Sequence, residues 1–334
     1  MSEYSDALER LFASEVTPQQ VRAIEAGGSS TLLWEKISES GFPDALIPES
    51  QGGAGLVLRD VFDVLLLCGR ASIPLPLAMT MVARAALADA GAALADGPIT
   101  VAGPMTQQGG VMSFDRVAYA LTSTWVLVPL HDACALIPIA RTRIVPVGVH
   151  ASLEAHLEIE EAVVRAAQFP CTLDWRATCA ALVAAQMAGA MQQILENTVQ
   201  FANERSQFGQ RIGKFQAIQQ QLSVLAEQVF AARMAAELAC AGERYYPDPL
   251  GAAIAKARVS EAVVVVAGIS HAVHGAIGIA EECDLQLLTR RLHEFRLAFG
   301  AESYWNRKIG RMVLESTARG SVDFVRERMS AAQH

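Results

Sequence analysis

Apolar residues recur with a helical period from the start of the chain to about residue 95. Over residues 32–37 they return every three to four positions, and Ser30 just before them is a typical helix-capping residue. The turn residues at 41–43 predict the end of this helix, and the pattern predicts another helix over residues 60–69. Residues 1–96 are therefore predicted to form an all-α domain.

The pattern changes at Asp96-Gly97-Pro98, after which short runs rich in Val and Ile alternate with turns. The clearest runs lie at residues 125–128, 135–139 and 143–147, and the last two contain proline, which is typical of edge strands or bends. This pattern of short strands and turns predicts a small β domain over residues 97–168, built as an antiparallel sheet or barrel.

From about Trp175 the pattern is helical to the end of the chain. Four long helices are predicted, over residues 176–203, 215–241, 249–273 and 301–328. Long helices joined by short loops favour an antiparallel four-helix bundle, here over residues 169–334. The predicted fold class is thus mainly α with a small β domain in the middle.

Composition narrows the possible functions. The chain has 334 residues, 52% of them hydrophobic, which is enough for two or three domains with buried cores. The net charge of −8 without a basic block argues against a nucleic-acid partner. Apolar runs such as residues 262–269 are shorter than a membrane span, so no membrane association is expected.

The reactive residue types point to a reduced, cytoplasmic protein. The six cysteines form no C-x-x-C pair, and the start of the chain lacks the pattern of a signal peptide. The seven histidines show no metal-ligand spacing, and the G-x-S-x-G motif of serine hydrolases is missing from the sequence. We therefore expect neither a metal site nor a hydrolase.

One basic segment, residues 204–216, separates the first two long helices of the C-terminal half. It carries two arginines, a lysine, two phenylalanines and two glycines. Arginine is well suited to phosphate, because its planar guanidinium donates two parallel hydrogen bonds. On spacing alone the segment is either a phosphate-binding loop or a solvated turn with incidental charges.

The sequence of this segment resembles the R-x-Q/T-F-G-x-x-[IL]-x-x-x-Q signature of the acyl-CoA dehydrogenase family. The matching residues are Arg205, Gln207, Phe208, Gly209, Ile212 and Gln216. Family members are flavoproteins with an N-terminal helical domain, a small β domain and a C-terminal four-helix bundle. The resemblance implies that Arg205, Gln207, Phe208 and Gln216 contact FAD held mainly by a neighbouring subunit.

A second resemblance lies in the residues 274–278, which read His-Gly-Ala-Ile-Gly. They are similar to the family's H-G-G-x-G turn, and imply that His274, Gly275 and Gly278 approach the FAD pyrophosphate. A plain glycine turn between helices is the alternative. Ala272 stands where the family usually has glutamine, so one contact to the cofactor is expected to be missing.

The catalytic base of the family is not found at its usual place. The segment 297–300 resembles the family's aromatic-Glu-Gly segment and keeps Gly300 as a cofactor-binding glycine, but Phe299 occupies the position of the glutamate. Phenylalanine cannot accept a proton. Some members place the base earlier, at a position near Cys179, where no acid lies nearby. Glu302 is a candidate for a displaced base, although a helix-start residue is the simpler interpretation.

The β domain also departs from the family pattern. The T-E-P-x-A-G-S-D and W-x-T/S-N segments that cradle the flavin ring are missing, and residues 103–110 are at best a remnant. The chain thus resembles the shorter, base-lacking subunit of bacterial α2β2 acyl-CoA dehydrogenases that act on steroid side chains.

This resemblance implies an FAD-dependent acyl-CoA dehydrogenase that desaturates an acyl-CoA thioester together with a homologous, longer subunit. A dimeric or tetrameric homo- or hetero-oligomer is expected, with electron-transfer flavoprotein as the oxidant. Two alternatives stay open. One is a self-sufficient homo-oligomer with Glu302 or His293 as a displaced base. The other is a non-catalytic scaffold or acyl-CoA-binding protein.

Overall fold

The computed structural model describes residues 3–318 and 320–331. Its N-terminal part is helical, as predicted. The helices are α1 (Glu3–Glu15), α2 (Pro18–Glu25), α3 (Thr31–Glu39), α4 (Phe62–Arg70) and α5 (Leu77–Asp89), with short 3-10 turns at Phe42–Asp44 and Glu49–Gln51. The cap of α3 differs from the prediction. The Ser30 side chain makes no capping bond, and the hydroxyl of Ser29 accepts from the Thr31 N–H instead, at 3.2 Å.

Eight strands follow, arranged in two four-stranded sheets. They are β1 (Ile99–Val101), β2 (Met105–Gln108), β3 (Val111–Val117), β4 (Trp125–Pro129), β5 (Ala133–Pro138), β6 (Arg143–Pro146), β7 (Ala155–Glu160) and β8 (Gln168–Pro170). The sheet orders are β1-β4-β5-β8 and β2-β3-β7-β6, and a short helix, α6 (Glu161–Ala166), joins β7 to β8. The three predicted strand runs are confirmed as β4, β5 and β6. The expected antiparallel pairing holds for every other strand pair of the two sheets, but β1 pairs with β4 in parallel.

The alternation of side chains along the strands explains why there are two sheets. In β3, Met112 and Phe114 point into a core shared with Leu157 and Ile159 of β7 and with Val126 and Val128 of β4. Successive residues of a strand face opposite sides. Leu127 therefore faces the other way and joins the large core formed by the helices. The first sheet is buried on both faces, between the second sheet and the helical part.

The C-terminal part is helical. Its helices are α7 (Trp175–Glu204), α8 (Gln216–Cys240), α9 (Pro249–His274), α10 (Leu285–Leu297), α11 (Glu302–Glu315) and α12 (Ser321–Ala331). The first three agree with the predicted helices within a few residues. They pack side by side, α10 packs on α7 and α9, and α11 packs along α9.

The predicted fourth helix, 301–328, was wrong in two respects. It is interrupted, because the Ser316 hydroxyl bonds the Val313 carbonyl at 2.7 Å and Gly320 follows, both of which oppose helix continuation. In addition, α10 was missed, because its charged residues interrupt the apolar pattern. These charges are paired inside the fold: Glu25 of α2 accepts from Arg291 at 2.6 Å and also from Arg290.

Two helices are longer apolar segments than the short apolar runs in the sequence suggested. By length and composition, α7 and α9 with its following turn are each long and apolar enough to cross a membrane. The apolar window of α7 is 83% buried inside the protein. The α9 helix carries Lys256, Arg258 and Glu261. The apolar window of α9 is 44% buried, and α9 packs against α7, α8 and α11.

Candidate functional site: an arginine loop and a separate cleft

The basic segment between α7 and α8 forms a miniature hairpin. Strands β9 (Ser206–Gln207) and β10 (Gln210–Arg211) pair antiparallel around a two-residue turn. Both turn residues, Phe208 and Gly209, have positive φ angles, 52° and 81°. This is the geometry of the tightest hairpin turns. It is unfavourable for a bulky residue such as phenylalanine, and strain of this kind concentrates at functional loops.

The strained turn presents its aromatic side chain outward. Phe208 is 91% exposed and meets Phe215 edge to face, with ring centroids 6.3 Å apart. The base of the hairpin is clamped, because the Arg205 carbonyl accepts from the Ile212 N–H at 2.8 Å. An exposed aromatic on a clamped loop is available to contact a ligand or another chain.

Arg205 lies at the C-terminal cap of α7, with its N–H bonded to the Phe201 carbonyl at 2.9 Å. Its side chain is exposed, and within the described part of the chain its guanidinium has neither a hydrogen bond nor an ion pair. A guanidinium with five unused donors beside a cavity is prepared for an anionic ligand.

The structure brings this loop together with the 274–278 turn. After α9, residues Gly275–Ile279 form a 3-10 turn that borders a cavity of about 570 Å³ opposite the hairpin. The cavity is lined by Phe201, Arg205, Gln207, Phe208, Ile212, Phe215, Ile218, Val273, His274, Gly275, Ala276 and Ile277. The two segments, which are far apart in sequence, thus line one cavity.

His274 has a fixed position in this site. Its ring stacks on Phe201 with centroids 4.4 Å apart, and its Nδ1 donates to the Ser270 carbonyl at 2.8 Å. Gly278 lies behind it, where an added Cβ would be 2.9 Å from the His274 Cβ. Gln216 begins α8 on the exposed side, next to Phe215. His274 therefore lines the cavity, whereas Gln216 and Gly278 are not among its lining residues.

Phe299 and Gly300 lie in a different place, a cleft of about 410 Å³ between the β domain and the start of the helical domain. The cleft is lined by Val101, Gly103, Pro104, Met105, Thr106, Asp115, Arg116, Val117, Ala118, Glu154, Arg176, Leu297, Ala298, Phe299, Gly300 and Tyr304. Phe299 is buried and has a φ angle of +56°. The segment 103–106, the remnant noted in the sequence, forms its opposite wall.

The cleft and the cavity are at opposite ends of one helix. Arg176 in the first turn of α7 lines the cleft, and Arg205 at the end of α7 lines the cavity. With a rise of 1.5 Å per residue, the two backbones are about 43 Å apart. An arginine side chain extends only a small fraction of this distance, so Arg205 cannot reach the cleft of its own chain.

Sequence reasoning missed Glu154, the buried carboxylate of the cleft. Its side chain is only 4% exposed, and its Oε2 lies 2.7 Å from Nη2 of Arg116. Burial raises the pKa of Glu154 to about 7, against the lowering effect of Arg116. The residue lies in an irregular segment before β7, so no motif or period marks it. Only the contact between separate segments makes it notable.

Glu302, the candidate for a displaced base, is the first residue of α11. Both of its carboxylate oxygens accept from Arg296, one of them at 3.1 Å from Nε. This hydrogen bond lowers the pKa of Glu302. His293, the other candidate, is exposed on α10. Neither residue lines the cleft that contains Phe299.

Comparisons with known proteins agree with this architecture. The family model "Acyl-CoA dehydrogenase, C-terminal domain" matches residues 179–314. The acyl-CoA dehydrogenase IpdE2 of Mycobacterium tuberculosis is 31% identical over 299 residues, which cover 85% of this chain and 87% of that protein.

Two solved structures share the fold at lower identity. A chain of the ChsE4-ChsE5 complex of Mycobacterium tuberculosis superposes with a TM-score of 0.82 at 22% identity, covering 95% of this chain and 99% of the other. A chain of a variant of the Tcur3481-Tcur3483 steroid ACAD superposes with a TM-score of 0.80 at 23% identity, covering 94% and 97%. Both are two-protein assemblies by name.

Proposed function

This chain belongs to the acyl-CoA dehydrogenase family of FAD-dependent oxidoreductases, and we propose that it acts as the subunit that lacks the catalytic glutamate and completes the FAD site of a longer, homologous partner. The reaction of the assembly is the α,β-desaturation of an acyl-CoA thioester. The partner supplies the base and most of the flavin pocket, and this chain supplies the arginine loop.

The observation that carries this proposal is the distance, along α7, between Arg205 and the cleft at the other end of the helix. Arg205 is about 43 Å from the cleft that contains Phe299. A cofactor contact made by Arg205 is therefore made to a molecule bound in another chain. The guanidinium of Arg205, which is unpaired within the described residues, and the 91% exposed ring of Phe208 support the same conclusion.

The residues of the cavity fit the phosphate end of FAD. Arg205 offers donors to a pyrophosphate, and Gly275, with φ +65° and open space where a Cβ would be, lets backbone N–H groups approach it. FAD supplies the hydride acceptor when it is bound. The role of this chain's residues is to hold the anionic part of that cofactor and to order the loop around it.

The surface beside the cavity suits a protein partner. Phe208, Ile277 and Ile279 are 91%, 54% and 75% exposed, and they lie on the hairpin and on the turn that border Arg205. Exposed apolar residues rimmed by polar ones are typical of an interface. A hetero-oligomer that buries them would also seat the arginine loop against the partner's cofactor. Electron-transfer flavoprotein is the proposed oxidant and the cytoplasm the proposed location.

The test is the visible absorption spectrum of the chain purified alone and co-purified with a longer homologue from the same organism. Flavin bands in the co-purified sample only are the expected result. Stoichiometric flavin in the lone chain would contradict the proposal, because its own cleft would then hold the cofactor.

A self-sufficient enzyme is the second candidate function, and Glu154 is the observation that favours it. A buried carboxylate with a pKa raised to about 7 suits proton abstraction near neutral pH, and it lies in the same cleft as Phe299. In that case the lone chain binds FAD and oxidises an acyl-CoA, and Glu154→Gln abolishes turnover. The same spectrum separates the two candidates.

A further inference from the structure

Two cysteines lie together at the junction between the β domain and the helical domain, outside both sites described above. Cys134 is on β5, and Cys171 follows the last residue of β8. The two strands are paired, with Cys134 opposite Phe169, and the Cys171 N–H continues the ladder to the Asp132 carbonyl at 3.4 Å. Because Cys134 lies opposite Phe169, Cys171 is its diagonal neighbour on the same face of the paired strands.

The two thiols have different environments. Cys134 is fully buried, and its Sγ accepts from the indole N–H of Trp175 at 2.9 Å. Cys171 is partly exposed. The hydrogen bond from Cys134 lowers the pKa of the Cys171 thiol, and the same contact together with burial raises the pKa of Cys134. Ionisation is therefore favoured at Cys171, the accessible thiol of the pair.

A cavity gives reagents access to this sulfur. It measures about 490 Å³, and Cys171 lines it together with Leu173, Tyr245 and Tyr246, whereas Cys134 does not. A small molecule in the cavity therefore meets Cys171 and not Cys134. The other buried thiols contrast with this pair, since burial raises the pKa of Cys68, Cys179 and Cys240. Reactivity follows thiolate character and access.

We propose that Cys171 and Cys134 form a peroxide-reactive dithiol, in which Cys171 is the attacking thiolate and Cys134 the resolving thiol. In the first step the Cys171 sulfur attacks one oxygen of a hydroperoxide. The S–O bond forms, the O–O bond breaks, and hydroxide or alkoxide leaves, so that Cys171 is oxidised to the sulfenic acid while the peroxide is reduced. In the second step the Cys134 sulfur attacks Cys171, the S–S bond forms, and the hydroxyl group and a proton leave as water.

The position of the pair gives the disulfide a structural consequence. It would join β5 to the segment 171–174, which leads directly into the N-cap of α7 at Asp174. It would also convert Cys134 from a thiol into a disulfide sulfur beside the Trp175 indole. Oxidation is thus expected to change the fluorescence of Trp175 as well as to fix the start of α7.

Alkylation of the full-length chain tests the first half of the proposal. A brief pulse of iodoacetamide at neutral pH, followed by peptide mass spectrometry, gives the labelling rate of each cysteine. Cys283 is the internal control, because it is also partly exposed and free. Cys171 is expected to react about tenfold faster than Cys283, and Cys134→Ser should remove most of that advantage. Equal rates for Cys171 and Cys283 would overturn the assignment of the thiolate.

Peroxide treatment tests the second half. After exposure to hydrogen peroxide and blocking of free thiols, non-reducing peptide mapping should recover a Cys134–Cys171 disulfide. In Cys134→Ser the sulfenic acid on Cys171 should persist and be trapped by dimedone. Cys171→Ser, a change at a partly exposed position, is the second variant and should leave Cys134 reduced. A disulfide absent from the wild type, or oxidation of Cys134 in Cys171→Ser at the wild-type rate, would refute the proposal.

Discussion

Gly69 of α4 lies directly against the backbone of Gln186 in α7: a Cβ on Gly69 would be 1.7 Å from the Gln186 carbonyl oxygen. The contact is reciprocal one turn further along. A Cβ on Gly189 would be 2.0 Å from the carbonyl oxygen of Leu66. The two glycines let the helices cross with their backbones in contact, which joins the N-terminal helices to the C-terminal bundle.

Gly69→Ala is expected to destabilise the fold by at least about 3 kcal/mol, because a backbone carbonyl cannot move aside as a side chain can. Gly268→Ala is the matched control, since this helical glycine is exposed and has open space where the Cβ would be. It should be neutral or stabilise by up to about 1 kcal/mol. Urea unfolding of both variants measures the difference, and equal stability would show that the α4–α7 crossing can relax.

Lys256 is expected to make stability depend on pH in the alkaline range. It is fully buried, and its Nζ donates to the carbonyl oxygens of Arg296 and Gly300, both at 2.9 Å. Burial lowers the pKa of Lys256 to about 7 from 10.5. Between these two values the unfolded state holds more protons than the folded state, so this residue makes stability rise with pH across that window.

Lys256→Met should remove that contribution. The difference in unfolding free energy between wild type and variant should shift in favour of the wild type as pH rises from 7 to 10, by at most about 1.4 kcal/mol per pH unit. Chemical unfolding at several pH values measures it. Parallel pH profiles for the two proteins would mean that the Lys256 amine stays charged throughout this range.

Glu154 should act with the opposite sign and in a more acidic window. Its pKa is raised from 4.5 to about 7, so the folded state holds more protons than the unfolded state between these values. Its contribution to stability is therefore present below pH 4.5 and lost as pH rises through 7. Glu154→Gln should flatten this part of the profile. Chemical unfolding of the wild type and the variant across this pH window measures the slope, and parallel profiles would show that Glu154 makes no such contribution.

The sequence predicted some helices of this fold and missed others. Residues 176–203, 215–241 and 249–273 were predicted as helices because their apolar and small residues are continuous over many turns. The helix α10 escaped the same reasoning. Its arginines look solvent-exposed in the sequence, yet Arg291 is buried and paired with Glu25, a residue 266 positions away.

The residues of the cavity and of the cleft also differ in whether the sequence predicts them. Arg205, Phe208 and His274 were predicted because the segments 204–216 and 274–278 each resemble a short contiguous motif of the family. Glu154 is in contact with Arg116 only through the folding of separate segments, so the sequence carries no local sign of it. The distance between the cleft and the arginine loop likewise depends on α7 being one unbroken helix.

Phe299→Glu restores the side chain that the family has at this position, and we expect no dehydrogenase activity from the variant chain alone. The new carboxylate would face a cleft in which segment 103–106 replaces the family's flavin-binding residues. Reduction of an artificial electron acceptor by acyl-CoA, measured with added FAD, is the assay. Turnover above that of the wild-type chain would show that the cleft still binds flavin, and would favour the self-sufficient enzyme.

Arg205→Ala should weaken FAD retention in the assembly without affecting the fold. Losing a charge-assisted hydrogen bond to phosphate costs about 1.5–3 kcal/mol, or roughly a 10- to 100-fold increase in the dissociation constant. The side chain is exposed and unpaired within the described residues, so its removal leaves no buried group behind. Arg211→Ala is the matched control, because Arg211 is an exposed arginine of the same hairpin that does not line the cavity.

The measurement is the flavin content of the co-purified complex after gel filtration, together with fluorimetric titration of FAD into the flavin-depleted complex. We expect Arg205→Ala to lose cofactor and Arg211→Ala to keep it. Equal losses from both variants would attribute the effect to the net charge of the loop. Equal retention by both variants would mean that the partner holds its cofactor without this loop. The proposed role of Arg205 would then be wrong, whereas the family membership of the chain would be unaffected.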